Sequence, residues 1–236
     1  MYHRVTAQIF LKPFSLAESE SFFKDREFGW SREQILECQM VFGGLPYFME
    51  LLNGDESFTQ NLDRLLFRQS AILKDETVRL LEATLKKSPI YEKILQLLSQ
   101  HLYGMQRTEC QEKSGSPHAS YSRAIEDLVK CGYITEYNRH YETGNPIYLQ
   151  LVDPFLMFHY HFLSHDDKLN SYDDMISDTG AYTNWSGHAF ETLCMFHISQ
   201  IKKALGISGV KTSSYPWMIS LNHKRRGIPL PLNVAL

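Results

Sequence analysis

Between Ser88 and Leu151 the chain spells three helices followed at once by two short strands, an order that few folds accept. Ser88-Pro89 sets a capping residue ahead of a proline, whose missing N–H has no partner to lose in a first helical turn. Ile90, Ile94, Leu95, Leu97, Leu98 and Leu102 then make one apolar stripe, ended by Gly104. A short polar helix is expected over residues 106–113. Gly115 turns the chain, and Ser116-Pro117 opens a third helix with Tyr121, Ala124, Ile125, Leu128 and Val129 on one face, stopped at Cys131-Gly132. Residues 133–137 and 147–151 read as strands joined by a loop containing Gly144-Asn145. Three stripes and one hairpin face need a common partner, so Leu98, Ile125, Leu128, Ile134 and Leu149 are expected in one core. The order is that of a winged helix-turn-helix.

The chain on either side is punctuated just as clearly. Val5, Ala7, Ile9 and Leu11 alternate with polar residues, which predicts a short strand ending at Pro13. Ser15 with Glu18, and Ser31 with Gln34, are capping boxes, in which each member of the pair satisfies an N–H at a helix start. Gly43-Gly44 ends the second helix, Pro46 opens a third, and one long helical region is expected over residues 59–87. After Asp153-Pro154 an apolar helix runs to Leu163. A polar stretch covers residues 165–183, a helix is expected over 186–205, and two strands near Val210 and Met218 complete the reading. That last helix should present Phe190, Leu193, Cys194, His197 and Ile201 on one face. Two strands make a marginal sheet, so the helix is expected to pack on the preceding units, or to leave an apolar patch through which the chain self-associates. The tail after Gly227, broken by Pro229 and Pro231, is expected to be poorly ordered.

Composition narrows the chemistry. Lys and Arg number 24 against 27 Asp and Glu, a net charge of -3, which excludes a strongly basic nucleic-acid coat. Four cysteines (Cys38, Cys110, Cys131 and Cys194) stand far apart with no CxxC pair, as in a reducing compartment. No run of about 18 apolar residues and no signal-peptide pattern occurs, so a cytoplasmic chain without membrane contact is expected. There is no GxxxxGK[ST] loop to cradle phosphates, and no GxSxG, HExxH or GxGxxG. His161, His165 and Asp166 have metal-ligand spacing, but helix-end histidines account for them, and no metal site is assigned. Neither is any catalytic residue.

Several segments together resemble one family. They are Arg4-Val-Thr with Ile9-Phe-Leu-Lys-Pro-Phe-Ser-Leu, Trp30-Ser-Arg-Glu-Gln-Ile-Leu-Glu, Val41-Phe-Gly-Gly-Leu-Pro-Tyr-Phe, and Gln60-Asn-Leu-Asp-Arg-Leu-Leu-Phe. Leu151-Val-Asp-Pro-Phe-Leu-Met-Phe and Trp185-Ser-Gly-His-Ala-Phe-Glu-Thr-Leu-Cys continue the series. In order and spacing these resemble the archaeal-type P-loop (AAA-like) ATPases, numerous also in gut Bacteroidetes, that carry a restriction-nuclease-like C-terminal region. The resemblance covers residues 1–227 and only the part that follows the ATPase core. It implies a mostly α chain with minor β: a helical ATPase lid over residues 1–88, a winged helix over 89–165, a polar linker over 166–184, and an incomplete α/β nuclease-like domain over 185–236. It also implies that Arg4 lies where the family has an arginine near bound nucleotide. Glu191 matches an early helical glutamate of the nuclease-like acid cluster, whose strand aspartate and Glu-x-Lys do not follow here. ATP and Mg belong to full-length relatives, and no cofactor is expected in this chain. The missing core and unfinished acid cluster read as a truncated or frameshifted form, or a gene fragment.

Two functions follow from this reading. One is a non-catalytic regulatory or binding module with a protein partner. The other is DNA binding through the winged helix, with His118, Ser120, Arg123 and Lys130 on the third helix as the contacts. Charge weighs against the second: residues 90–162 hold six Lys or Arg against eight Asp or Glu, and phosphate contacts supply most non-specific affinity. A nuclease built on Glu191 alone is disfavoured, since one carboxylate rarely holds a catalytic divalent ion.

Overall fold

Serine caps decide where the first helices begin. Helices α1 (Leu16–Asp25) and α2 (Arg32–Phe42) each start after a serine whose side chain accepts the N–H three residues on. The side chain at that third position, Glu18 or Gln34, accepts the serine's own N–H in return. At the end of α2, Gly43 adopts a positive φ of 65°, and Gly44 lies where any Cβ would collide with the Phe14 backbone, whose N–H donates to the Gly44 carbonyl at 2.7 Å. Pro46 occupies the first turn of α3 (Pro46–Glu50). A third capping box, Ser57 with Gln60, opens α4 (Phe58–Leu62).

The computed structural model describes residues 11–85, 87–138, 144–164, 171–177 and 179–210. These are mostly helical, with one three-stranded antiparallel sheet. The strand expected before Pro13, most of the pair near Val210 and Met218, and the tail after Gly227 lie outside the described residues; Val210 itself is not in a strand.

The long helix expected over 59–87 is broken. From α4 the chain widens into a π-helical turn, Asp63–Phe67, then extends at Arg68 and restarts as α5 (Glu76–Thr84). Leu65, Leu66 and Phe67 are all buried in the core of the first helices. The turn that follows carries Ala71 and Leu73 inward, pinned by the Leu73 N–H donating to the Leu65 carbonyl at 3.1 Å.

Beyond α5 come α6 (Pro89–Ser99), strand β1 (Met105–Gln106), α7 (Arg107–Ser114), α8 (His118–Lys130), and the hairpin β2 (Ile134–Asn138) and β3 (Ile147–Leu151). The sheet order is β1-β3-β2, with Leu149 of β3 opposite Met105 on one side and Glu136 on the other. The two residues of β1 are too few to carry an alternating pattern, which is why only the hairpin is legible in the sequence. Leu98, Ile125, Leu128, Ile134 and Leu149 lie together in one buried core.

The chain then returns to the first bundle. Asp153 caps α9 (Pro154–Phe158) by accepting the Leu156 N–H at 2.8 Å. A second π-helical turn, His159–Leu163, follows, then α10 (Tyr172–Ser177), α11 (Thr179–Phe196) and α12 (Ile198–Ala204). Phe155, Phe158 and Phe162 enter the core of the first helices, while Leu156, Met157 and Tyr160 enter the core of α6, α8 and the sheet. Phe155 stacks on Phe48 with ring centroids 4.7 Å apart. A single short segment thereby belongs to both cores.

Helix α11 begins seven residues before the expected start at Ser186, so that part of the stretch read as a polar linker is helical. Its inward stripe also differs from expectation. Trp185, His188, Ala189, Thr192 and Leu193 are buried, whereas Phe190, expected inward, is 46% exposed. Tyr182 and Trp185 set this register: packed against the first core, they turn Phe190 outward. The expected single helix to residue 205 breaks at His197, whose ring is fixed at both ends. Its Nε2 accepts the Leu16 N–H at 3.0 Å, which leaves Nδ1–H to donate to the Leu193 carbonyl at 2.9 Å.

Among the described residues no helix is long and apolar enough to cross a membrane.

Candidate functional site

Helix α8 is held by its inner face. Tyr121, Ala124, Ile125 and Leu128 are buried, and the Tyr121 hydroxyl donates to the Arg107 carbonyl at 2.9 Å. At the outer edge, the Tyr91 hydroxyl donates to the Asp127 carboxylate at 2.8 Å, and burial pushes the Tyr91 hydroxyl up to about 12. The four residues expected as nucleic-acid contacts are all exposed, but they do not form one row. Arg123 and Lys130, seven residues apart, share a line along the helix, with Glu126 on one flank and Asp127 on the other. Ser120 lies beside that line, and its hydroxyl donates to the Pro117 carbonyl at 2.9 Å. His118 opens the helix on the opposite edge, above Ser122 and Val129. Among the described residues neither Arg123 nor Lys130 has an acidic partner within ion-pair distance, while the nearby Arg107 and Lys113 pair with Glu136 and Glu109. Residues 139–143 of the hairpin loop lie outside the described residues, as does Arg4.

Glu191 stands on the outer side of α11, exposed, with burial by its neighbours raising its carboxyl above the usual range. Among the described residues no three His, Cys, Asp or Glu side chains converge as metal ligands. His165 and Asp166, which the spacing placed beside His161, are outside the described residues.

What sequence reasoning missed is the groove beside Glu191. Tyr103, in the loop between α6 and β1, faces the middle of α11. Together with Thr183, Asn184, Gly187, His188 and Glu191 it lines an open groove of about 570 Å³. The loop is locked in place: the Tyr103 carbonyl accepts from the Tyr137 hydroxyl at 2.5 Å, and the Leu102 carbonyl from the Gln150 side chain at 3.1 Å. The Tyr103 ring meets the His188 ring edge-on at 5.3 Å. His188 is 3% exposed, and among the described residues its buried Nδ1 has no hydrogen-bond partner, nor has the indole Nε1 of Trp185 one turn earlier. Burial, helped by the like charge His161 would carry, holds the His188 imidazole down to about 4. Behind this ring a much smaller space is lined by His101, His161, Trp185 and His188. The spacing of Asn184, His188 and Glu191, four and seven residues along one helix, was the available signal. It becomes readable only once residues 179–185 are known to be helical.

No family model, no curated protein and no solved structure matches this chain.

Proposed function

We propose that this chain is a non-catalytic binding module built around a winged helix at residues 89–165, akin to the portion that follows the core in the ATPase family its motifs resemble. On this reading the first helices are the lid-like part, and α11 and α12 open the nuclease-like part. What supports the winged helix is the order α6, β1, α7, α8, β2, β3, with a three-stranded sheet closing one core with all three helices. The observation that carries the partner class is the outer face of α8. In a winged helix this is the helix that enters a major groove. Here its two cations are flanked on both sides by carboxylates, Glu126 and Asp127, and the face is neutral in sum. Such an alternation suits a protein surface of mixed charge and offers no net attraction to a continuous phosphate rail.

The second reading, DNA binding, is favoured by one fact: Arg123 and Lys130 are exposed, aligned and without an ion-pair partner among the described residues. A fluorescence-anisotropy titration of a labelled duplex at several salt concentrations separates the two. The protein-docking reading expects weak binding with a log–log salt slope near zero. A slope of about -4 or steeper, relaxed by Arg123→Ala, would report several phosphate contacts and overturn it.

A further inference from the structure

Among the described residues the groove between Tyr103 and α11 carries one charge and nothing that neutralises it. Its lining holds the Glu191 carboxylate, the Asn184 amide, the Thr183 hydroxyl, the Tyr103 ring and His188, and no lysine or arginine. No cation lies within ion-pair distance of Glu191 among the described residues. Its negative charge is felt by its neighbours: it contributes, after burial, to raising both the Tyr103 hydroxyl and the Cys194 thiol. A partly desolvated carboxylate without a counter-ion favours a cationic ligand and disfavours an anionic one.

We propose that this groove binds an alkylammonium group, with Glu191 as its counter-ion and the Tyr103 ring against its methylenes. Glu191 supplies the one charged acceptor of the groove, while Asn184 and Thr183 lie about two turns away on the same helix and line the groove away from the carboxylate. An aromatic ring beside the carboxylate adds cation–π attraction, and the aliphatic stem of an amine packs well on such a ring. His188, held neutral at physiological pH, does not repel the incoming charge. Space is provided by Gly187: a Cβ built there would meet nothing within 4 Å, so the glycine floors an open surface and serves no packing need. The Tyr103 loop, tied at two carbonyls, pays little ordering entropy on binding.

The same ammonium occurs on a free polyamine and on a lysine side chain. Isothermal titration of the full chain with spermidine, with acetyl-Gly-Lys-Gly-amide, and with the same peptide acetylated on its lysine distinguishes the sources. At least one ammonium probe should bind saturably while the acetylated peptide does not. Saturation by spermidine alone assigns a free amine, and saturation by the peptide assigns a lysine-bearing partner. Glu191→Gln should weaken binding about tenfold, the loss of one charge-assisted contact. Gly187→Leu should abolish it by filling the floor, with the circular dichroism spectrum of both variants close to that of the parent and neither Tm lowered. The proposal is overturned if neither ammonium probe saturates at millimolar concentration, if the acetylated peptide binds as well, or if Glu191→Gln binds unchanged.

Discussion

His188 makes folding sensitive to mild acid. The ring is almost fully buried, its Nδ1 has no partner among the described residues, and burial together with His161 depresses its pKa to about 4 from an ordinary value of 6.5. Between those two values the unfolded chain holds the proton and the folded chain does not. Stability from this group is therefore complete above about pH 6.5, falls as pH drops through the window, and stops falling below about pH 4. The whole interval corresponds to about 3 kcal/mol, of which about 2 kcal/mol is lost by pH 5. That is a large share of the stability of an ordinary domain.

Urea unfolding followed by circular dichroism at pH 7.5 and pH 5.0 measures it. Carboxylates elsewhere also begin to titrate in this range, so the comparison is with His188→Gln, which cannot charge. The parent should lose about 2 kcal/mol more than the variant between the two pH values. The variant should be less stable than the parent at pH 7.5, because glutamine fills the site poorly, and should converge with it at pH 5.0. Parallel losses in the two proteins would refute the reasoning, because they would mean that the ring is solvated, or paired, in the folded chain.

Three further outcomes follow from packing. Leu128→Ala empties the centre of the core shared by α6, α8 and the sheet, and should cost about 2–5 kcal/mol in chemical denaturation. Asn61→Ala should cost about 1–3 kcal/mol by the same measurement, since its buried side chain accepts the Asn53 N–H at 2.8 Å and donates to the Asn53 carbonyl at 2.9 Å, and both hydrogen bonds would be lost. A cost below 0.5 kcal/mol would show that water reaches that turn. Gly187→Ala should instead stabilise the chain by about 0.5–1 kcal/mol, because the position is helical and the space above it is open; a lower Tm would contradict the groove.

How much of this was legible beforehand depended on the range of the interaction. Ser15, Ser31 and Asp153 accept N–H groups within a turn of themselves, Pro46 and Pro89 need no N–H partner in a first turn, and each helix they announce is present. The core of α6, α8 and the hairpin was legible for a related reason, since each stripe is long enough to declare its own period. The failures lie where a neighbour distant in the chain decides. Strand β1 exists because Leu149 offers it a partner. The break after the π-helical turn at residues 63–67 is fixed where the Leu73 N–H returns to the Leu65 carbonyl and Leu73 joins the core of the first helices. The start of α11 was hidden by Gly180, Thr183 and Asn184, poor helix formers on the outward side, while Tyr182 and Trp185 supply the packing that outweighs them. The groove could not be read at all, since Tyr103 and His188 meet only after the chain has crossed the sheet and returned.

That return has a consequence for binding. Segment 154–163 sends Phe155, Phe158 and Phe162 into one core and Leu156, Met157 and Tyr160 into the other, and the His197 ring ties the end of α11 to the start of α1. Helix α11 cannot shift without disturbing Trp185, Ala189 and Leu193 in the first core, nor can the Tyr103 loop without disturbing Gln150 and Tyr137 in the sheet. The groove between them is thus walled by two elements whose positions are set by burial elsewhere. The α8 face is anchored in the same way through Tyr121 and Leu128. Both surfaces are presented rigidly, and a partner that engages either one loses little affinity to ordering the protein, so that recognition rests on the few side chains that point outward: Arg123, Glu126 and Lys130 on one, Glu191 and Tyr103 on the other.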